Sequence, residues 1–419
     1  MYAAERRIYE AFFLILLAVC LILTGTMTAG AEELAQNGTT PDKLARGGKV
    51  ACDGQTVYFA CGESVYTTPL SGGGAQKMFG PDTLGISSWD FSKNSYLGPS
   101  FLNVWQGKLY FYYEDEVSYG PRSGVYYYDP ATGGGGQLAK GTVTYLSVDN
   151  GIITYALWND YLQDVFYQVN VDGSGNHATG AVVGKPVSGE MSAGGWSFFV
   201  ADGWIYYQQL ADWTVFASDV TSNRLYRMRL DGTQNMQVND GYVDDIAKNF
   251  SVYQGRLYFS QGDVYTHDVN GILTDESNYQ AAFCTSLADG SDKREINMGE
   301  GYIGPDGKRW GRGKENFTIW DGTLYEPYDI PSEKEEVGVR ANLLDGSGAR
   351  TVFETNRTQM VGINGVYPVP GWLFLDVLIS DPWSSGTAGA SYSYGIYRIS
   401  PEGGQPEQLA VYHVPYNIY

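Results

Sequence analysis

The stretch "SVYQGRLYFSQ", residues 251–261, decides the fold, because it holds two short β-type runs joined by a turn that ends in glycine. Glycine supplies the positive φ that a two-residue hairpin turn needs. The same outline occurs six more times along the chain, at an average spacing of roughly 53 residues. The seven turn glycines are Gly54, Gly107, Gly151, Gly203, Gly255, Gly322 and Gly371.

Each of these segments is followed by a second hairpin, of which "NRLYRMRLDGTQNMQV" (residues 223–238) is an example. Two hairpins make four strands, and repeated four-stranded units of this length are typical of β-propeller blades. The sequence therefore predicts an all-β protein, a β-propeller of four-stranded antiparallel blades, with seven blades. Six or eight blades are the close alternatives, and two β-sandwich domains are the competing architecture.

The N-terminus has the order of charged, apolar and small residues found in secretory signals. Arg6 and Arg7 precede an apolar run over residues 11–25, and Ala29-Gly30-Ala31 follows it. We expect a signal peptide over residues 1–31, cleaved after Ala31, a linker over residues 32–46 and the propeller over residues 47–419. This predicts a secreted or extracytoplasmic protein of the cell envelope. Membrane contact is expected only if the apolar run is retained as an anchor, and that run is shorter than the roughly 20 residues that span a bilayer.

Charge and cysteine content narrow the function classes. The formal net charge is -20 at pH 7, which argues against nucleic acid as a partner because phosphate backbones repel an acidic surface. After cleavage the cysteines are Cys52, Cys61 and Cys284, and an odd number argues against a disulfide framework. We expect these three residues to be unbridged and mostly buried thiols.

Two stretches resemble known propeller families. "VRANLLDGSGARTVF" (residues 339–353) looks like the second half of the YWTD repeat of low-density-lipoprotein-receptor propellers. "GWIYY" (203–207) followed by "LYRMRLDGTQ" (225–234) resembles bacterial exported propellers, largely uncharacterised, that are related to that family and to the TolB propeller. The resemblance implies a propeller fold, but the chain has no YWTD tetrapeptide and seven units where the receptor family has six. No functional residue can be carried over from it.

Catalytic motifs are sparse. The three histidines, His177, His267 and His413, lie in different segments, and no H-E-x-x-H, paired C-x-x-C or G-x-S-x-G motif occurs. We therefore expect no metal site and no cofactor, and the sequence favours a non-enzymatic protein. The alternative is a carbohydrate-active propeller enzyme that uses loop carboxylates. Its candidate acids are Glu114, Asp115 and Glu116, or Asp160 and Asp164.

The lengths of the connections predict where a ligand would bind. Within each unit the links between strands one and two, and between strands three and four, are tight, whereas the other two links vary and are often long. In an up-and-down blade the two variable links leave from the same edge. We therefore expect a plain face, which carries the tight turns, and a loop-rich face, which carries the long links.

Aromatic and basic residues in the long links are the predicted ligand-binding residues. Exposed tryptophans suit stacking on sugars or anchoring a partner, although they could instead pack the loops onto the blades. The basic segment "DGKRWGRGKEN" (306–316) could meet an anionic ligand or pair with the acids of residues 332–336. We expect a protein, peptide or cell-envelope glycan as ligand. The predicted residues are Trp89, Trp158, Trp213, Arg309, Trp310, Arg312 and Trp383.

Overall fold

The computed structural model describes residues 38–86, 98–114, 122–159, 163–184, 198–210, 223–239, 249–261, 282–298, 302–303, 309–310, 316–330, 336–380 and 391–415. Within these residues the chain forms seven four-stranded antiparallel sheets, which are the blades of a β-propeller. Each blade is built from four consecutive strands that run from the inner to the outer edge in chain order. The predicted fold class and the blade number are confirmed, and the two-sandwich alternative is wrong.

The first four blades have the following strands. Blade 1 consists of β1 (Val50–Cys52), β2 (Thr56–Cys61), β3 (Ser64–Pro69) and β4 (Gln76–Phe79), and a 3-10 helix (Pro81–Leu84) follows it. Blade 2 consists of β5 (Ser100–Trp105), β6 (Lys108–Tyr113), β7 (Gly124–Asp129) and β8 (Gly134–Lys140). Blade 3 consists of β9 (Val143–Asp149), β10 (Ile152–Trp158), β11 (Asp164–Asn170) and β12 (His177–Val183). Blade 4 consists of β13 (Phe198–Ala201), β14 (Trp204–Leu210), β15 (Asn223–Arg229) and β16 (Met236–Asn239).

The remaining three blades complete the ring. Blade 5 consists of β17 (Phe250–Tyr253), β18 (Arg256–Gln261), β19 (Ala282–Leu287) and β20 (Arg294–Glu295). A two-stranded hairpin, β21 (Tyr302–Ile303) and β22 (Arg309–Trp310), precedes blade 6, which consists of β23 (Thr318–Trp320), β24 (Thr323–Ile330), β25 (Glu336–Leu343) and β26 (Arg350–Asn356). Blade 7 consists of β27 (Gly362–Val369), β28 (Trp372–Ser380), β29 (Ser391–Ile399) and β30 (Glu407–Pro415).

The predicted first-hairpin turns have the backbone that their glycines require. All seven turn glycines have positive φ. In blade 2, for example, Trp105 pairs with Lys108 across a turn in which Gln106 has φ 48° and Gly107 has φ 77°. Two successive positive φ values are the signature of the type I′ turn, whose twist matches that of the flanking strands. At these positions the residues of the turn itself were therefore sufficient to predict the hairpin.

The second-hairpin turns of blades 3 to 6 share an Asp-Gly-Ser/Thr motif. In blade 4, Asp231 Oδ1 accepts hydrogen bonds from Thr233 N at 2.9 Å and from Thr233 Oγ1 at 2.6 Å. The glycine has a different task, because it packs against the outer strand of the preceding blade. A Cβ on Gly232 would lie 2.6 Å from the carbonyl oxygen of Gly180, closer than van der Waals contact permits. These turns are part of the scaffold and hold neighbouring blades in close contact.

The hydrophobic core lies between adjacent blades. The rings of Phe199 in blade 4 and Phe250 in blade 5, for instance, have centroids 5.2 Å apart and are almost fully buried. Blade 7 meets blade 1 in the same way, with Phe59 and Phe374 at 5.9 Å. Trp372 Nε1 also donates to the carbonyl oxygen of Leu70 at 2.9 Å. Side-chain packing therefore closes the ring, since each of these two blades supplies its own four strands.

The central channel is filled by the chain's own residues 38–48, which we call the plug. The plug contains α1 (Pro41–Ala45), a short helix capped by Thr40, whose Oγ1 accepts from Lys43 N at 3.3 Å. This helix lies against the inner strands of blades 2 to 6. Thr39, Asp42, Lys43 and Leu44 are all buried. Residues 38–46 belong to the predicted linker, but the structure packs them against the inner strands of the blades rather than leaving them exposed.

The plug runs through the channel from the plain face to the loop-rich face. At one end, Cys52 N, in the last residue of β1, donates to Gly38 O at 2.7 Å. At the other end, Phe101 N, in the second residue of β5, donates to Gly47 O at 2.7 Å. Inner strands end at the plain-face turns, so Gly38 lies near the plain face and Gly47 near the loop-rich face.

The predicted signal peptide, residues 1–31, lies outside the described residues. None of the helices in the described part of the chain is long and apolar enough to span a bilayer. Cys52, Cys61 and Cys284 are buried thiols, which confirms the expectation for the cysteines.

Candidate functional site

The loop-rich face is defined by strand ends. In every blade the inner strand begins, the second strand ends, the third begins and the outer strand ends at one edge, opposite the tight turns. Most residues of the long links lie outside the described ranges. The described part of this face therefore consists of strand ends around its rim and the channel opening at its centre.

Trp158 is the best described of the predicted ligand-binding residues. It is the last residue of β10, pairs with Asp164 at the start of β11, and is half-buried. Its backbone N donates to Thr142 O at 3.1 Å. The structure thus places Trp158 at the loop-rich edge of blade 3.

Arg309 and Trp310 form the whole of β22, in the link between blades 5 and 6. They pair with Ile303 and Tyr302 of β21, respectively. This link leaves from the loop-rich edge, so these two residues lie in a different link of the face from Trp158. Trp89, Trp213, Arg312 and Trp383 lie outside the described residues, and so do Asp115, Glu116 and Asp160.

The centre of the loop-rich face is a polar site that the predicted residues do not include. We call it the channel mouth and define it by Arg46, Lys49, Asn249, Asn316, Asn364 and Asp376. Arg46 ends the helical part of the plug, and Lys49 directly precedes β1. The three asparagines stand at or near the starts of the inner strands of blades 5, 6 and 7.

Hydrogen bonds join Arg46 to three blades. Its Nε donates to Asn316 Oδ1 at 3.3 Å, and its carbonyl oxygen accepts from Tyr367 Oη at 2.9 Å. Asn316 in turn donates from its backbone N to Asn249 Oδ1 at 3.1 Å, and from Nδ2 to Asn364 O at 3.0 Å. This network fixes the plug end against the inner strands of blades 5, 6 and 7.

Lys49 and Asp376 form an ion pair across the seam between blades 1 and 7. Lys49 Nζ lies 2.7 Å from Asp376 Oδ2, and the exposed fractions of the two side chains are 31% and 5%. The ammonium therefore borders solvent while its partner is buried. The residues that define the channel mouth thus include the cations Arg46 and Lys49 and the anion Asp376, and the charge of Arg46 also acts on Asp42 of the plug.

Two residues near the mouth have an unusual backbone. Phe101 has φ 53° and Asn316 has φ 52°, in the left-handed region that residues other than glycine rarely adopt. Both are held there by the plug, Phe101 through Gly47 O and Asn316 through Arg46 Nε. Gly48 is required beside them, since a Cβ on it would lie 2.7 Å from the Cα of Phe101.

The plug closes the mouth from below. Asp42 Oδ2 accepts from Ser251 Oγ at 3.0 Å and from Ile319 N at 2.8 Å, which ties the helix to the inner strands of blades 5 and 6. Burial raises the pKa of this carboxyl above its ordinary value, and Arg46 opposes that effect. Lys43 Nζ lies 5.3 Å from the ring centroid of Trp320. Buried plug residues therefore lie directly beneath the mouth.

Two of the candidate catalytic acids are described, on different blades. Asp164 in blade 3 accepts from Thr144 Oγ1 at 2.5 Å, and burial raises its pKa to about 6. Glu114 follows β6 in blade 2, and burial raises its pKa as well. Asp164 is only 2% exposed, so a substrate does not reach it in this arrangement.

The described histidines lie away from the mouth. His177 begins β12, at the plain-face side of blade 3, and its Nδ1 lies 2.8 Å from Gly175 O. His413 is on the outer strand of blade 7, with Nδ1 2.8 Å from Ser393 Oγ. Among the described residues, no group of three or more His, Cys, Asp or Glu side chains is placed to hold a metal ion.

The channel mouth was not predicted from the sequence, although a signal existed. The segment "KLARGGK", residues 43–49, places Lys43, Arg46 and Lys49 within one short run of an acidic chain. Its position just before the first repeat made it resemble a linker. Only the closed ring shows that this run ends at the centre of the loop-rich face.

Comparison with known proteins supports the fold. No protein-family model matches the sequence, and no curated protein matches it either. Among solved structures, a puromycin-hydrolysing peptidase of Mycobacterium tuberculosis has TM-score 0.50 and 10% identity over 89% of this chain and 55% of the peptidase. A prolyl endopeptidase has TM-score 0.49 and 12% identity over 93% and 53%. An oligogalacturonate lyase in complex with manganese has TM-score 0.45 and 12% identity over 85% and 84%.

The chain spans about half the length of the two peptidases. At these identities the similarity concerns the propeller fold alone. Both propeller types named from the sequence also occur among the similar structures. They are a putative TolB from Agrobacterium tumefaciens (TM-score 0.32, 13% identity, 67% of this chain and 85% of that one) and a chain of the nidogen–laminin complex (0.33, 12%, 73% and 90%).

Proposed function

We propose that the protein is an exported, non-enzymatic β-propeller binding module whose loop-rich face engages a protein, peptide or cell-envelope glycan. The observation that carries this proposal is the channel mouth, a group of polar and charged residues at the centre of that face. Binding sites typically combine a few convergent polar groups with a rigid frame. Here the inner strands of the blades supply the frame, and the plug packs against them.

The distribution of described titratable groups supports binding over catalysis. Asp164 is buried away from solvent, and His177 and His413 are held in contacts on other parts of the blades. Arg46, Lys49 and Asp376 are described charged groups at the centre of the face, and such groups suit recognition of a ligand. Trp158 adds an aromatic side chain at the rim.

Export is part of the proposal and rests on the N-terminal sequence. Cleavage after Ala31 would leave a chain that begins at Glu32, so the whole plug from Gly38 onward would stay in the mature protein. The intact mass of the exported protein tests this step. A mass that includes residues 1–31 would contradict cleavage and favour a retained anchor.

The two ends of β10 provide a matched test of the binding face. Residues 32–419 would be screened against envelope glycans and peptide libraries, and the strongest ligand would be titrated against Trp158→Ala and Ile152→Ala. Trp158 lies at the loop-rich end of the strand, and Ile152, which is 39% exposed, lies at the plain-face end. We expect only Trp158→Ala to weaken binding. Equal affinity in both variants would exclude the blade 3 edge from the site.

A carbohydrate-active enzyme that uses loop carboxylates is the second candidate. Glu114 favours it, because this candidate acid is only half-buried at the loop-rich end of β6 and burial raises its pKa, as suits a general acid. Release of reducing ends from acidic and neutral polysaccharides would be measured for the wild type, Glu114→Gln and Asp164→Asn. No release by the wild type would remove this candidate.

A further inference from the structure

We infer that β30, the outer strand of blade 7, pairs edge to edge with β30 of a second copy of this chain, which gives a two-fold symmetric dimer. This surface lies at the periphery of the propeller, and the inference does not depend on the proposed function. It follows from three properties of β30: the length of its regular pairing, its place outside the contacts that meet other outer strands, and its nearly uncharged side chains.

The pairing of β30 with β29 is the longest regular one made by an outer strand in the described blades. It runs through six consecutive pairs, from Ser391 with Pro415 to Ile396 with Ala410, before a bulge shifts the register. In each of the other six blades the outer strand makes at most four consecutive pairs. A long and regular edge strand presents a row of backbone donors and acceptors on which another strand can pair.

Turns of the following blade meet the outer part of blades 3 to 6. In each case a Cβ added to a turn glycine would lie 2.8 Å or less from a carbonyl oxygen of the preceding blade. The four contacts are Gly232 with Gly180, Gly290 with Val238, Gly346 with Asn297 and Gly403 with Val352.

The corresponding turn of blade 1, which follows blade 7 around the ring, reaches a different strand. Its Leu70 O accepts from Nε1 of Trp372 in β28, and a Cβ on Gly72 would lie 3.9 Å from the same tryptophan. Among the described residues, β30 therefore lies outside the series of contacts that meets blades 3 to 6.

One face of β30 is held by blade 1, which leaves the edge of the strand toward solvent. Ala410 and Tyr412 pack against the cluster that contains Phe59, and a Cβ on Gly62 would lie 3.1 Å from the Cβ of Tyr412. Residues 407–413 are nevertheless all exposed or half-buried, and β30 is the last strand of its four-stranded sheet. The strand is thus fixed in place with its outer edge accessible.

The charge of β30 favours a second copy as the partner. Residues 408–415 contain no Asp, Glu, Lys or Arg, and the carboxylate of Glu407 is paired with Arg398, whose Nη2 lies 2.6 Å from its Oε2. A chain with net charge -20 repels its own copies over most of its surface. Two-fold antiparallel pairing of β30 brings together the same uncharged edge from each copy, where this repulsion is smallest.

Sedimentation velocity of residues 32–419 over a range of protein concentrations measures the dimer. We expect a weak and reversible dimer, because one strand pair is smaller than a standard interface of roughly 1,600 Å². Added salt should strengthen the dimer, because salt screens the repulsion between two acidic copies.

Hydrogen exchange of the wild type locates the contact. Backbone amides of β30 should exchange more slowly as the protein concentration rises, because pairing protects them. Those of β26, the outer strand of blade 6, should exchange at the same rate at every concentration. This measurement needs no variant, so it decides the inference even where a substitution impairs folding.

Two matched variants each add one carboxylate to an outer strand. Val411 is half-buried in the middle of β30, and Thr351 is exposed in β26. In the two-fold pairing the carboxylates of two Val411→Glu copies lie close together and repel, so the dissociation constant should rise about tenfold or more. Thr351→Glu makes the same change in net charge and should dimerise as the wild type does.

Four outcomes would overturn the inference. The first is a monomer at all concentrations and salt levels, and the second is equal dimerisation of Val411→Glu and the wild type. The third is a loss of dimer in Thr351→Glu as large as in Val411→Glu. The fourth is protection of β30 that does not depend on concentration, which would mean that the chain's own residues 416–419 cover the edge.

Discussion

Gly290, in the last turn of blade 5, packs directly against the carbonyl group of Val238 in the outer strand of blade 4, and a Cβ on Gly290 would lie 1.8 Å from that oxygen. One blade further on, a Cβ on Gly346 would lie 2.0 Å from the carbonyl oxygen of Asn297, just after the outer strand of blade 5. The glycine therefore allows close contact between blades as well as a positive φ.

We expect Gly290→Ala to destabilise the protein more than Gly255→Ala. Both glycines have positive φ, 86° and 72°, so both substitutions should cost about 1 kcal/mol for the backbone conformation alone. A Cβ on Gly255 meets no described atom within 4 Å, whereas one on Gly290 forces blades 4 and 5 apart, which should cost about 1–3 kcal/mol more. Denaturant unfolding measures both variants, and equal losses would contradict the close-contact role.

The plug should contribute to stability through Asp42. Asp42→Ala leaves Ile319 N and Ser251 Oγ without their buried acceptor, so we expect a loss of about 3 kcal/mol in the free energy of unfolding. Ser251→Ala removes only one donor and should cost about 1 kcal/mol. Equilibrium denaturation gives both values. A loss from Asp42→Ala no larger than that from Ser251→Ala would show that the plug is not held by this carboxylate.

Asp164 should make stability depend on pH. Its pKa is raised from 3.8 to about 6 in the folded protein, so the folded state keeps a proton that the unfolded state releases. The contribution to stability is fully present below the unfolded pKa and is lost as pH rises through the folded pKa. Asp164→Asn removes this loss and can still accept from Thr144 Oγ1.

The free energy of unfolding of Asp164→Asn should therefore exceed that of the wild type by about 1–3 kcal/mol at about pH 7.5. At about pH 4 the difference should be much smaller. Denaturant titrations of both proteins at the two pH values test this. The same difference at both would show that Asp164 does not titrate as its burial implies.

The three thiols should be protected in the folded protein. Cys52, Cys61 and Cys284 are buried, and burial raises the pKa of Cys61 to about 12. Because the thiolate is the reactive form, we expect little reaction with a disulfide reagent near neutral pH in the native state. All three thiols of residues 32–419 should react in denaturant. Rapid labelling of a native thiol would contradict the packing around that residue.

Local features of the fold could be predicted from the sequence, and features that depend on ring closure could not. Gly255 and Gly232 mark turns whose chemistry lies within a few residues, so the hairpins and the number of blades follow from the repeats. Asp42 and Arg46 have partners far along the chain, such as Ile319 and Asn316. No local sequence pattern identifies contacts between residues so far apart along the chain. Composition alone therefore predicted a linker where the structure has a packed plug.

The candidate site shows the same division. Trp158 was predicted to lie at the loop-rich face from link lengths, and it lies there because those links leave one edge of the blades. The channel mouth depends on seven inner strands meeting around the plug, and the spacing of residues along the chain does not show it. Its two cations, Arg46 and Lys49, are nevertheless close together in the sequence, within residues 43–49. The interpretation of this stretch as a linker left that signal unused.

The route of the plug also determines which face of the propeller points away from a support that is attached ahead of the plug. The described chain begins at Gly38, beside Cys52 at the plain face, and reaches the opposite face only at Gly47. A bead, a sensor chip or a fusion partner joined ahead of Gly38 would therefore sit behind the propeller. The loop-rich face would then point into solution, and N-terminal immobilisation is the attachment to choose for every binding measurement described above.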